Sequence, residues 1–326
     1  MIHIFTEAGR TVGLGHLTRM RSLKNQLVED GYATRLVVQV EGISQNSVVQ
    51  AGSNEAAQRW INDEELVRLQ VDGDDIVVVD TYSTTESFMG GLSSICGRLI
   101  AIDDYNRIKY KNCIVVNPNF YGAFLDYPQG NNCEYRLGSR YNLIRPEFRA
   151  LGERTIREDV KRILITFGGT DVMGITAKTV RFCHEISPGS RLDVVVTDSF
   201  PDLEDIERLL AEGDALHKNI DATQMNRLMN EVDFAIASAG STSNELMKTR
   251  CPSILIQVAQ NQAETIRYLA PLGYFKTFDV DSFNVIEEML KPSVRKGIYD
   301  SLMQLEVESS MKDLVEQVYD MFTERE

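Results

Sequence analysis

Residues 13–19 read Gly13-Leu14-Gly15-His16-Leu17-Thr18-Arg19, after a short apolar run at residues 2–5 and at the start of an amphipathic stretch. A glycine turn that opens a helix leaves backbone N–H groups facing outward at the positive end of the helix dipole, where phosphate and other anions are favoured. The same turn holds one of only four histidines in the chain. A histidine at the lip of an anion site can take a proton from a water or hydroxyl beside a bound phosphate ester, because the helix N-terminus disfavours the imidazolium. The alternative is a histidine that only caps its own turn, and position alone leaves both open. Gly13, Gly15 and Arg19 are candidate ligand contacts in this segment; an arginine at such a place otherwise faces solvent.

Ala239-Gly240-Ser241-Thr242 with Glu245 forms a second constellation. Glycine lets a ligand approach the backbone, the two hydroxyls can cap a helix or bond a phosphate, and a carboxylate one turn on can accept from a ribose diol. An ordinary capping box has the same spacing. Gly168-Gly169-Thr170 is a tight turn after an apolar run, structural or phosphate-binding. Asn261 and Gln262 open a helix and could hold sugar hydroxyls or a water, although asparagine is also an ordinary N-cap. Tyr82, two residues beyond Asp80, could donate to a sugar or phosphate oxygen or serve as wall. Asp103 and Asp104 are adjacent, so on an extended chain they point to opposite faces; a shared site is not expected, and Asp103 reads as a turn residue. His3, His184 and His217 lack a constellation.

The elements that must place these residues alternate between short apolar runs and helical stretches. Residues 36–40, 76–79, 99–102 and 114–116 are nearly continuous β-branched runs, as strands buried on both faces require; residues 16–30, with Gly31 as cap, and 55–69 read as helices. Several runs end in Asp80, Asp103-Asp104 or Asn117, and ligands of open α/β sheets sit beyond the carboxyl ends of strands. After a charged stretch at residues 153–160 the pattern restarts: strands at 163–167, 192–196, 234–237 and 253–256, and helices at 175–186, near 222–230, after Gly240 and at 262–269. The expectation is an α/β protein of two doubly wound, Rossmann-like domains, residues 1–150 and 151–326, with a helical stretch from about residue 292 that packs back across the junction.

Bulk composition narrows the partners. With 326 residues and a net charge of −14, a basic nucleic-acid face is not expected. Five dispersed cysteines read as reduced thiols of a cytoplasmic protein, and neither a signal peptide nor a membrane-spanning run is expected. No Cys or His spacing suggests a metal, and no cofactor is expected; oligomeric state is not legible.

Taken in order, the motifs resemble the family of UDP-2,4-diacetamido-2,4,6-trideoxy-altropyranose hydrolases of pseudaminic acid synthesis, and equally their relatives among spore-coat polysaccharide biosynthesis proteins. The likeness is carried by residues 13–19, Val-Val-Asp-Thr-Tyr at 78–82, Ala-Ile-Asp-Asp at 101–104 and the run at 137–148. It continues with Thr-Phe-Gly-Gly-Thr-Asp at 166–171, Ala-Gly-Ser-Thr-Ser-Asn-Glu at 239–245 and Ala-Gln-Asn-Gln at 259–262. The resemblance implies the GT-B fold of MurG-like enzymes, two Rossmann-like domains facing a cleft with the nucleotide on the second. It further implies that His16 activates a water at the anomeric carbon, that Tyr82 and Asn261 place sugar and water, and that Gly240, Ser241, Thr242 and Glu245 hold UDP; Gly168, Gly169 and Gln262 remain substrate-binding candidates on their own chemistry.

Such a reaction fits the motifs. UDP is a good leaving group, helix N-termini can absorb its charge without a divalent cation, and one base on the opposite face of the sugar inverts the anomeric centre. The expected activity is metal-independent hydrolysis of a UDP-amino-deoxy sugar in surface-polysaccharide or nonulosonic acid biosynthesis. The rivals are a glycosyltransferase using the same donor and a non-catalytic nucleotide-sugar binder.

Overall fold

The computed structural model describes residues 1–326 apart from 10, 46–47, 49–53, 129, 143, 149–153, 170, 172, 278–283, 306–313, 315–318 and 320–326. The chain divides into two compact units, Met1–Leu143 with Glu308–Glu326, and Ile144–Val307. The junction expected near residue 150, Thr170 of the second glycine turn, and much of the expected C-terminal helix lie outside the described residues.

The first unit is built on β1 (Ile2–Gly9), α1 (Gly15–Glu29), β2 (Thr34–Glu41), β3 (Glu55–Ala57), α2 (Glu64–Arg68), β4 (Ile76–Asp80), α3 (Glu86–Leu92), β5 (Arg98–Ile102), β6 (Ile114–Asn117) and β7 (Glu134–Leu137). Its sheet is parallel throughout, in the order β3-β2-β1-β4-β5-β6-β7. Alternate residues feed two cores. Ile4, Val38, Val78 and Ile100 pack with Leu17, Met20, Leu23 and Leu27 of α1; Phe5, Val37, Val77 and Leu99 pack with Trp60, Phe88 and Leu92. Leu314 joins the α1 core and Tyr319 packs edge-on against Tyr32.

Two expectations change. β1 does not stop at residue 5 but runs to Gly9, because its polar residues are satisfied inside: Thr6 donates to the Asp80 carbonyl, its own carbonyl accepts from Trp60 Nε1, and Glu7 accepts from Thr81, Tyr82 and Ser83. The helix expected over 55–69 is instead β3, a turn and the short α2. Glu55 is drawn onto the sheet edge by Arg21 and Lys24, which salt-bridge its buried carboxylate.

The second unit holds β8 (Arg162–Thr166), α4 (Ile175–Ile186), β9 (Arg191–Val196), α5 (Leu203–Leu209), β10 (Ala215–Lys218), α6 (Ala222–Glu231), β11 (Phe234–Ser238), α7 (Ser241–Lys248), β12 (Ser253–Ile256), α8 (Ala263–Leu269), β13 (Lys276–Thr277), α9 (Asn284–Met289) and α10 (Pro292–Met303). Its parallel sheet runs β10-β9-β8-β11-β12-β13.

Each sheet therefore reverses its strand order once, between β1 and β4 in the first and between β8 and β11 in the second. At a reversal the flanking connections leave in opposite directions and open a crevice at the carboxyl ends of the strands, the usual ligand position in doubly wound folds.

Candidate active site

The reversal in the first unit brings together residues far apart in sequence. Beyond β1 the chain pinches: Gly9 and Gly13 exchange backbone hydrogen bonds of 3.1 and 2.8 Å. Gly13 has φ +74°, which favours glycine, and a Cβ on Gly9 would lie 2.5 Å from the Glu41 carbonyl oxygen. α1 then starts from Leu14 with no side-chain cap, and among the described residues no hydroxyl or carboxylate closes its first N–H groups.

His16 is buried, 4% exposed, and its Nδ1 lies 2.8 Å from Oδ1 of Asp80, the fully buried last residue of β4. A carboxylate at that distance is an acceptor only, so Nδ1 carries the hydrogen and Nε2 keeps its lone pair. Among the described residues Nε2 has no hydrogen-bond partner, and it is absent from the buried unpartnered atoms, leaving it open to accept a proton.

Arg19 does not face solvent. Its Nε and one terminal nitrogen donate to both Asp80 oxygens at 2.6 Å, and its two terminal nitrogens donate to both Asp104 oxygens at 2.9 Å. Asp104 also accepts from the Tyr82 hydroxyl at 2.5 Å and Asn119 Nδ2 at 2.7 Å. The Tyr82 ring packs edge-on against His16, centroids 4.2 Å apart, and Tyr105 extends the wall at 5.2 Å from Tyr82.

Electrostatics fix the charges. Burial alone would favour the neutral acids, but Arg19 overrides it at both sites, with His16 adding to the effect, so Asp80 and Asp104 are held below the usual carboxylate range. Burial, reinforced by Asp104, pushes the Tyr82 phenol well above its ordinary value, so it stays a donor. Its hydrogen is committed to Asp104, which leaves Tyr82 a ring surface and an accepting oxygen for a ligand. Asp103 points away as the alternation argument requires: its carboxylate accepts from the N–H groups of Tyr105 and Arg107.

The second reversal holds the other candidates. α7 begins at Gly240 with no side-chain cap, so the capping box suggested by the three-residue spacing from Thr242 to Glu245 does not form. Glu245 turns to Arg145, whose Nε and terminal nitrogen reach its Oε1 at 2.8 and 2.7 Å. Burial pushes the Glu245 carboxyl up, and Arg145 opposes it. Gly168 has φ +80°, but the helix beyond it is closed by its own chain: Asp171 accepts from Ile175 and Thr176 at 3.0 and 2.8 Å. The uncapped helix of this pair is α7, not α4. Asn261 caps nothing; it is exposed in a 3-10 turn before α8. Gln262 is anchored through Oε1 by the Val258 N–H, and its Nε2 would lie 3.4 Å from a Cβ on Gly240.

Asp80 as partner of His16, Asp104, Asn119, Arg145 and Ser238 were not assigned from sequence. Ser238, the last residue of β11, has its Oγ 3.9 Å from a Cβ built on either Gly168 or Gly240. Among the described residues no group of three or more His, Cys, Asp or Glu side chains converges to hold a metal ion.

By architecture the chain is a GT-B protein. It superposes on Acinetobacter baumannii MurG with a TM-score of 0.66 over 98% of this chain and 100% of the other, at 13% identity. The spinosyn rhamnosyltransferase SpnG gives 0.63 at 14% identity, over 97% and 100%. No family model matches the sequence. Curated relatives share about a quarter of their residues over most of the chain. The UDP-2,4-diacetamido-2,4,6-trideoxy-beta-L-altropyranose hydrolase of Campylobacter jejuni is 25% identical over 82% of this chain and 96% of its own. The spore coat polysaccharide biosynthesis protein SpsG of Bacillus subtilis is 22% identical over 83% and 81%. An uncharacterized Methanocaldococcus jannaschii protein is 24% identical over 81% of this chain, which spans only 57% of that protein's length. Among the described residues no helix is long and apolar enough to cross a membrane.

Proposed function

We propose that the protein hydrolyses a UDP-sugar at the anomeric carbon without a metal ion. The observation that carries this reading is the 2.8 Å contact from His16 Nδ1 to the buried Asp80, which commits the imidazole to the tautomer with an accepting Nε2 at a sheet reversal. In the reaction, a water gives its proton to His16 Nε2 as its oxygen bonds to C1. The bond from C1 to the diphosphate oxygen breaks, its electrons leave with UDP, and the anomeric centre inverts. Tyr82 lines the sugar and Asn261 helps place sugar and water. Gly13 and Gly15 shape the turn that presents the base.

UDP is assigned to the second unit. The uncapped start of α7 with Gly240, Ser241 and Thr242 suits the diphosphate, with Gly168, Gly169 and Gln262 beside it, and Glu245 suits the ribose diol through Oε2, which Arg145 leaves free. Arg19 serves the carboxylates rather than the phosphates. The relatives named as a hydrolase and as a polysaccharide biosynthesis protein support this class of substrate and a surface-polysaccharide or nonulosonic acid pathway.

A second reading, transfer of the same sugar to a hydroxyl acceptor, is favoured by the likeness to MurG and SpnG. Incubation with a panel of UDP-amino sugars and no acceptor separates the two: catalytic release of UDP supports hydrolysis, turnover only on adding an acceptor supports transfer. His16→Asn should abolish turnover and leave UDP affinity unchanged; normal turnover would remove the mechanism.

A further inference from the structure

We propose that Asp104 is a positioning residue for this reaction, because two separate arms run from its carboxylate and both end on the His16 imidazole. The first arm is Arg19. One edge of the guanidinium sits on Asp104 at 2.9 and 2.9 Å, the other on Asp80 at 2.6 and 2.6 Å, and Asp80 holds His16 Nδ1. The second arm is Tyr82, whose hydroxyl reaches Asp104 at 2.5 Å and whose ring meets the imidazole at 4.2 Å and 80°. The carboxylate is itself braced from the end of β6: Asn119 Nδ2 donates to it at 2.7 Å, and Asn117 Nδ2 donates to the Asp104 carbonyl at 2.9 Å.

Four side-chain donors occupy the two oxygens of Asp104, from Arg19 twice, Tyr82 and Asn119. The carboxylate is thereby directed at the protein and not at a ligand. Its effect is on the tautomer. One terminal nitrogen of Arg19 lies 3.2 Å from His16 Nδ1. A guanidinium released from Asp104 could rotate that nitrogen onto Nδ1 as a donor, which places the ring hydrogen on Nε2 and removes the lone pair that the base needs. Held bidentately from both sides, the guanidinium cannot make that turn, and it is the fixed geometry of an Arg–carboxylate pair that enforces this. Among the described residues, the charged and titratable groups around the imidazole are Asp80 from β4, Arg19 from α1, Tyr82 beyond β4 and Asp104 beyond β5.

The inference rests on His16 as the base, and a double-mutant cycle tests it separately. Asp104→Asn should lower kcat about 10- to 100-fold, the usual cost of removing a group that orients a catalytic one, with KM and UDP affinity within about twofold. Because Asp80 and Asp104 act on one imidazole, the D80N/D104N double variant should be hardly slower than D80N alone. Tyr82→Phe, which deletes one arm and keeps the ring, should be non-additive with D80N in the same way and stands in if D104N loses its cooperative melting transition. Wild-type kcat in D104N (or in Y82F where it stands in), or losses that multiply in the double variant, overturns the role of Asp104 while H16N remains inactive. An active H16N instead overturns the reading of the site on which it rests.

Discussion

Replacement of Asp80 by Asn tests the site most directly. The side chain is nearly isosteric, but its two terminal atoms now differ. Oδ1 of Asp80 accepts from His16 Nδ1 at 2.8 Å and from Arg19 at 2.6 Å, while Oδ2 accepts from Arg19 Nε at 2.6 Å. If the amide nitrogen takes the Oδ1 place, it donates to Nδ1 and forces the hydrogen onto Nε2, the wrong tautomer for a base. If it takes the Oδ2 place, it opposes Arg19 Nε, donor against donor, in a site that is fully buried at Asp80. Either way the negative charge that stabilises the imidazolium formed in the reaction is gone. General-base catalysis contributes about 10²- to 10⁴-fold, so kcat should fall by that factor, about 3–5 kcal/mol of transition-state stabilisation. The assay is UDP release under saturating UDP-sugar, with UDP affinity measured by calorimetry and folding by thermal melting. A D80N protein that melts normally and keeps kcat within about fivefold of wild type would refute the tautomer argument.

Glu245→Ala should weaken UDP binding about 10- to 100-fold, the loss of a charged hydrogen bond, and calorimetry showing unchanged affinity would reject the ribose assignment. Asp103 is raised by burial from 3.8 to about 6, so the folded state binds the extra proton and wild-type stability falls as pH rises through that window. Asp103→Asn lacks this dependence; its stability relative to wild type, by denaturant titration, should increase by roughly 3 kcal/mol at most between pH 4 and 7. Gly9→Ala should destabilise by roughly 2 kcal/mol or more, since a Cβ meets the Glu41 carbonyl oxygen at 2.5 Å. Gly13→Ala, with nothing within 4 Å of its Cβ, should cost only the roughly 1–2 kcal/mol of its φ of +74°. Equal melting temperatures for these two variants would contradict that ordering.

The fold was legible where burial is uniform. Central parallel strands are covered on both faces, so 76–79 and 234–237 announce themselves as continuous apolar runs. Edge strands do not: β3, β7, β10 and β13 are short, half-buried and partly charged, and none was anticipated. At the site, His16 was visible because its signal is local, a histidine within a glycine turn. Asp80 was visible only as a strand end. Its contact to His16 spans 64 residues and that of Asp104 to Arg19 spans 85, and no local pattern encodes such pairings. Alternation along the chain correctly separated Asp103 from Asp104, but it could not say that Asp104 turns to the site.

The two sheet reversals also differ in charge, and each difference bears on the role proposed for that unit. In the first unit Asp80 and Asp104 are held ionised around a single guanidinium, so with a neutral His16 the cluster carries a net negative charge. Such a cluster repels a diphosphate. It attracts the positive charge that develops at C1 as the leaving group departs, and it lowers in energy the protonated imidazole formed in the same step. In the second unit the α7 start offers uncapped N–H groups, and the hydroxyls of Ser241 and Thr242 make no hydrogen bond within the protein among the described residues. Its carboxylate, Glu245, is tied to Arg145. That surface favours anions. Taken alone, the charge of the first unit supports the proposed role of His16 beside a developing cation, and that of the second unit supports the proposed binding of a diphosphate. Charge also bears on Arg19 as a candidate ligand contact: a guanidinium already flanked by two carboxylates has little field left to offer a third anion.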